Sequence, residues 1–458
     1  MRDLMFLSSW LVFIPLALQA GAHVGVLLWA WTSVLAPNDV LYGVATEVPF
    51  AKIAAVLTIL LLIAGRGGPA QFRLGLPELL LVGLAISSLI SQATSPAESS
   101  ALGWELCQKF LKILMFALVI LAVINDRMRM QALILAVCLG LGFTGVAEGI
   151  KFLISGSAHK VLGSPSLGDN NQLALNILLI LPLLQHLHAT LRSPVVRFAV
   201  LISGLLCVVC VIASYSRGAF SGLVILAVAS VLAGKRKLVG LAVLAAAALV
   251  GSQLVGSDWT ARMNTIETAD SDDSFLGRVA GWKVSTLVAL SRPFGSGLHG
   301  IQQPDIWWRY APDENSLPIF PPTDPAGMMH AAHSIYFEVL GDLGFPGLAL
   351  FLTLLLTSWM TAGRTRRSIR KAGRADLDWA RDLSTRLQIA LTVFMVSGGL
   401  LSAVYYDIEY VVIALIVVVH RHADTALRAV IPTADIAPGS GRVRRRSEAT
   451  GARLARSP

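Results

Sequence analysis

His330 and His333 stand three residues apart in "HAAHSIYFEVLGDLGFPG", with Glu338 and Asp342 following at the head of a long apolar run. Imidazole exchanges protons near neutral pH, so such a pair suits either interfacial packing, the commoner role for a lone histidine, or general base or acid catalysis. His333 is expected at the start of a helix, whose positive dipole end favours the neutral, base-competent ring. His330 competes with it for that role. A histidine pair with a carboxylate five residues beyond His333 does not reproduce HExxH or a zinc spacing, so no metal is expected. Glu338 and Asp342 either orient a histidine or hydrate the top of a helix kinked by Pro346.

Arginines form the second candidate set. Arg217 in "SYSRGAF" lies between two apolar runs with almost no loop, and Gly218 permits a tight turn there. It either snorkels to the membrane interface or faces an anionic lipid or substrate. In "DSFLGRVAGWKVSTLVALSRPFGSGLHGI" a moderately amphipathic helix is expected over 278–290. Val279, Ala280, Val284, Leu287, Val288 and Leu290 share one broad face that Lys283 interrupts. Arg278 at its start opposes the helix dipole, which points either to an anion nearby or to a solvated or salt-bridged cation. Arg292, in "SRPFG", is the alternative second arginine. Asp169, Asn170 and Asn171 suit a helix cap or a substrate contact. Trp307 and Trp308 suit an interfacial aromatic belt or a sugar-stacking surface.

The elements that must carry these residues follow from composition. Of 458 residues, 55% are hydrophobic and 14% charged, against about a quarter charged in soluble domains. Mean hydropathy is +0.68. The sequence therefore predicts an all-α polytopic integral membrane protein, because a barrel would show short alternating segments instead. Apolar spans are expected near 4–19, 22–36, 51–65, 78–93, 104–124, 131–154, 172–190, 195–214, 219–233, 238–255, 343–360, 386–403 and 407–421. The first two are short and joined by "QAGAH", as two tilted spans or one re-entrant hairpin, which makes about 12 transmembrane helices. "MRDL" is barely basic and the apolar pattern continues past it, so no cleaved signal peptide is expected.

Lys and Arg gather in "GKRK" (234–237), "GRTRRSIRKAGR" (363–374) and "GRVRRR" (441–446), which the span count places on one side, the cytoplasm. The long hydrophilic loop then lies in the periplasm, with nine acidic residues against five Lys/Arg over 256–332. Five regions are expected: N-terminal helices to 125, central helices over 126–255, the periplasmic loop with its amphipathic helix over 256–332, C-terminal helices over 333–422, and a disordered basic tail over 423–458. The net charge of +9 reflects this topology and a tail near anionic lipid, not nucleic-acid binding. Cys107, Cys138, Cys207 and Cys210 all fall within spans, and core packing is expected even for the CxxC in "LLCVVCVI".

From His333 the chain runs Ser334, nine residues, Gly344, two residues, Gly347. This resembles the signature of O-antigen ligases, placed as in that family after a large outer loop and at the head of a span. "SRGA" and "GR…W…RPFGSG" also resemble the O-antigen ligase and polymerase superfamily. "GVLLWAWTSVLAPNDVLYGVATEVPFAKIAAVLTIL" is similar to the opening of O-glycosylation ligases of the exosortase A-associated type, and the similarity runs to about residue 420. The resemblance implies transfer of a glycan from a polyprenyl diphosphate, at the outer face of the inner membrane, to an acceptor lipid, protein or polysaccharide. It implies no metal or other cofactor and inversion at the anomeric carbon. Arg217 and Arg278 match arginines that would bind the diphosphate, and His333 would deprotonate or orient the acceptor hydroxyl.

Two other functions remain open: a polymerase that extends lipid-linked repeat units, and a polysaccharide transporter. A transporter needs polar residues near mid-bilayer in several spans, whereas polarity here gathers on one face.

Overall fold

The computed structural model describes residues 2–67, 73–96, 100–234, 237, 273–312, 317–320 and 328–429. They are mostly helical. In chain order the helices are α1 (Arg2–Ala20), α2 (Ala22–Leu35), α3 (Pro37–Val40), α4 (Phe50–Ile63), α5 (Leu76–Ala93), α6 (Ser100–Val123), α7 (Arg127–Ile154), α8 (Asn170–Thr190), α9 (Pro194–Ala213) and α10 (Arg217–Ala233). Further along the chain come α11 (Asp273–Ser291), α12 (Pro304–Tyr310), α13 (Ile335–Ala372), α14 (Asp378–Ser397) and α15 (Asp407–Arg428). A small antiparallel hairpin, Gly163–Ser164 with Gly168–Asp169, leads into α8.

Among the described residues eight helices are long and apolar enough to cross a membrane: α5 to α9 and α13 to α15, with α6 counted from Ala101 and α14 within Ala375–Leu400. Four shorter apolar helices lie within α1, α2, α4 and α10. The first two are separated by Gly21 alone, whose φ of 99° turns the chain back on itself. The expected span over 238–255, the loop residues 256–272 and most of the basic tail lie outside the described residues. The last helix continues past the expected boundary at 422 to Arg428.

Helices in lipid associate through packing rather than through the hydrophobic effect, so small residues decide which helices approach. Gly140 on α7 abuts Val34 and the Trp31 carbonyl of α2, and Gly149 abuts the Leu206 carbonyl of α9. The four cysteines are free and buried. Cys207 packs against Gly145, as a small apolar side chain would.

The 38-residue α13 breaks its own hydrogen-bond ladder near its N-terminal end. Gly344 has φ 67° and ψ −165°, and Pro346 supplies no N–H for the carbonyl of Asp342. Each released group finds a new partner. Phe345 donates its N–H to the Pro293 carbonyl at 3.0 Å, and the Gly341 carbonyl accepts from the Ser296 N–H at 3.0 Å. The Asp342 carbonyl accepts from the Ser91 hydroxyl. The segment "RPFGSGLHG" thus threads between the kink and the end of α5, where Ser91 also accepts from Gly297 N and Gln92 Oε1 accepts from Leu298 N.

The segment between α10 and α13 has its own small core of Ala280, Val284, Val288, Ile301, Ile306, Trp307, Ala311 and Ala332. Each large apolar side chain buried there contributes about 1.5–3 kcal/mol relative to exposure. Helix α11 begins at Asp273, five residues before the expected start at 278, and packs along the first half of α13. Lys283, which interrupts its apolar face, is nonetheless 2% exposed, while Leu290 on that face is 58% exposed.

Candidate functional site

His333 is not part of α13. The helix starts at Ile335 behind Ser334, and His333 precedes it with φ 43°. A non-glycine residue in that region is a local strain that the surroundings must hold. Burial, and then the positive charge of Arg278, keep its imidazole below the ordinary value; His330 adds to this and Asp169 opposes it. The expected direction stands, but desolvation and Arg278 cause it rather than the helix dipole, whose effect fades outside the first turn. The result is a half-buried imidazole that is neutral at neutral pH.

Helix α11 sets both the histidine segment and Arg278. A Cβ on Gly277 would sit 2.6 Å from His330 Nδ1, and one on Gly281 would meet Ala331 and Ala332. The chain can therefore lie flat on α11. Trp282 Nε1 donates to the Ala332 carbonyl at 2.7 Å, and its ring stacks on Phe337 at 5.2 Å. Arg278 occupies the second turn of α11, so the expected clash with the first-turn dipole does not arise. Arg292 points elsewhere: its Nη1 donates to the Thr94 carbonyl at 3.1 Å, at the end of α5. Of the two competing arginines, Arg278 is the one whose charge acts on His333.

His330 packs edge-on to Trp307, ring centroids 5.8 Å apart. Trp307 is 0% exposed and Trp308 is 47% exposed. The paired expectation of a belt or a sugar surface therefore divides, because the Trp307 ring is occupied by the loop core and only Trp308 presents a face. Glu338 and Asp342 are both buried and have partners away from His333. Glu338 accepts from Val404 N at 3.4 Å. Asp342 accepts from the Tyr405 hydroxyl at 2.7 Å and from the backbone of His299 and Gly300. Burial holds the Tyr405 phenol well above its ordinary range, which fixes it as the donor. Both carboxylates brace the loop and the turn before α15.

Asp169 is the cap of α8: it accepts from Asn171 N and Gln172 N, and Gln172 reciprocates to Asp169 N. Capping is thus its visible role, although its charge also reaches His333. Asn171 Nδ2 donates to Asp169 at 3.2 Å. Asn170 Nδ2 donates to the Ser214 carbonyl at 2.7 Å, tying α8 to the junction that holds Arg217. Tyr215 turns there with φ 54°, Ser216 caps α10 through Ala219 N, and Arg217 is its first residue. Gly218 packs on Leu401, and Gly398 in that same turn packs on Ile335. Arg217, Asp169, Arg278, His330 and His333 therefore share one end of the bundle.

Sequence reasoning missed Lys109 and Tyr406. The Lys109 ammonium lies 5.0 Å from the Tyr406 ring centroid, and a Cβ on Gly168 would meet the Tyr406 hydroxyl. The Lys109 charge, after burial, also lowers the pKa of His299. The available signal was a charged residue inside a predicted span, which is costly there, although Glu105 and Lys112 in the same span carried the same signal. Among the described residues, no group of three His, Cys, Asp or Glu is arranged to hold a metal ion.

Residues 202–352 match a family model described as O-antigen ligase, and residues 1–189 match one described only as a family of unknown function. The first match contains Arg217, Arg278, Arg292, His330, His333, Gly344 and Gly347; the second contains Lys109 and Asp169. No curated protein matches the chain.

Proposed function

We propose, from the match of residues 202–352 to a family model described as O-antigen ligase, that this membrane protein is a glycan ligase using a polyprenyl diphosphate-linked donor. The observation that carries the reading is the placement of a neutral, half-buried His333 under the charge of Arg278, at the bundle end that also holds Arg217. An acceptor hydroxyl attacks the anomeric carbon of the donor sugar and gives its proton to His333. The bond from that carbon to the phosphate oxygen breaks, and polyprenyl diphosphate leaves. Arg217 and Arg278, which stay protonated, stabilise the charge that develops on the diphosphate. No step calls on a metal.

The end bearing His333 faces the periplasm in this reading. Its support is the basic run over 364–374, which lies at the opposite end of α13 from His333 and fits a cytoplasmic side. The four shorter apolar helices would then cross as short or tilted spans of an inner-membrane protein. The acceptor in this reading is a hydroxyl of a lipid, a protein or a polysaccharide.

The test supplies purified full-length protein with a polyprenyl diphosphate-linked glycan and candidate acceptors, followed by mass spectrometry. Glycan joined to acceptor, with free polyprenyl diphosphate released and no product from His333→Ala, is the expected result. Lengthened glycan that stays on the carrier would replace ligation with polymerisation.

A further inference from the structure

A cavity of about 260 Å³ opens at the opposite end of the bundle, far along the helices from His333. Its wall is divided by chemistry. Arg73, Asn125, Arg421, His422 and Thr425 supply polar groups, while Leu121, Ile124, Val418 and Ala426 supply an aliphatic side. The cationic groups come from the entry to α5 and from α15, and the apolar ones largely from the ends of α6 and α15.

The polar wall is held in place. Arg421 Nη2 pairs with Glu78 Oε1 at 2.5 Å, and these side chains are 20% and 10% exposed. The His422 ring packs edge-on to Trp379 at 5.4 Å. Arg374 donates to the Ala426 carbonyl at 3.3 Å from just outside. Glu78 neutralises one guanidinium, so the pair contributes hydrogen-bond direction more than net charge. Arg73 then adds a second cation from a separate segment of chain.

We propose that this cavity binds the phosphate of an anionic phospholipid, with the acyl chain or glycerol against the aliphatic wall. Guanidinium groups match phosphate geometry, and a ligand with a charged head and an apolar body fits a wall divided in this way. The surrounding surface, with the basic end of α13, draws anionic lipid toward it. A free phosphate shares the head chemistry but leaves the aliphatic wall unused.

The test uses the full chain in detergent and follows thermal unfolding on titration with short-chain phosphatidylglycerol, phosphatidylcholine or inorganic phosphate. Phosphatidylglycerol should raise the Tm, and phosphatidylcholine should not. Arg73→Gln should weaken the effect roughly tenfold in lipid concentration, the loss of one charge-assisted contact. Ala426→Leu fills the aliphatic side and keeps every charge; it should abolish the lipid effect. A phosphate effect of the same size that survives Ala426→Leu would assign the site to a free phosphate instead of a lipid. If both variants respond to phosphatidylglycerol as the parent does, the proposal fails. Unliganded Tm values of the variants separate a misfolded protein from a lost site, and glycan transfer is not the readout.

Discussion

Phe345 donates its backbone N–H to the carbonyl of Pro293 at 3.0 Å, and this bond joins the two halves of the candidate site. Pro293 follows the helix that carries Arg278, and Phe345 follows the kink below His333. The bond exists because Gly344 leaves the helical region. A Cβ there would sit 2.0 Å from the Pro293 oxygen. Part of the spacing from His333 to Gly347 is thus explained by architecture: it brings a broken helix to a loop that completes its hydrogen bonds.

Gly344→Ala should therefore destabilise the protein by at least about 2 kcal/mol, since it combines a positive φ with a backbone clash. A Tm measured in detergent checks this. An unchanged Tm would mean that the Pro293 contact does not hold the kink.

His333→Ala is expected to lower transfer by about 10²–10⁴-fold, the usual scale of a lost general base, with the Tm nearly unchanged. His330→Ala should cost less, because that ring packs between Gly277 and Trp307. Single-turnover rates on both variants decide between the two histidines, and a larger loss from His330→Ala would reverse the assignment.

Arg278→Gln predicts a shift in pH dependence as well as a slower reaction. Burial and Arg278 hold the His333 imidazole below its ordinary value. The base therefore stays neutral as pH falls, until the lowered value is crossed. Removing Arg278 raises that value, so the acid limb of the rate profile should move to higher pH. Rates should also drop by about 10²–10³-fold. A slower variant with an unmoved acid limb would place Arg278 away from His333.

Tyr405→Phe removes the phenol that donates to buried Asp342. A buried acceptor losing one of its partners costs about 1–3 kcal/mol. The Tm should fall by a matching amount, and slower transfer would follow from a looser loop. Phe fits the space, so a neutral result would mean that the backbone donors of His299 and Gly300 suffice.

Trp307→Ala should cost about 3–5 kcal/mol of stability, as for other fully buried aromatics. Trp308→Ala should stay within about 0.5 kcal/mol. Comparing donor binding to Trp308→Ala with that of the parent tests whether the exposed ring contacts glycan.

Much of this protein was legible along the chain. Apolar runs at bilayer length are a local property, so the membrane class and the helices over 131–154, 172–190 and 195–214 could be read directly. The segment from His333 to Gly347 and the arginines 217 and 278 could be singled out because they resemble motifs of a known family, whose model matches residues 202–352. What the chain alone left open depended on partners distant in sequence. The charge of Arg278 reaches His333 because α11 lies against residues 330–332, whereas Arg292 donates to the carbonyl of Thr94. Glu338 and Asp342 could be read either as orienting a histidine or as hydrating the helix top; in the fold Glu338 meets the Val404 backbone, and Asp342 meets Tyr405 and the backbone of His299 and Gly300. The lowered pKa of His333 was expected from a helix dipole; it arises from desolvation and a guanidinium brought in by another element. Periodicity records how each helix meets its surroundings, whereas electrostatics at close range depends on which helices meet one another.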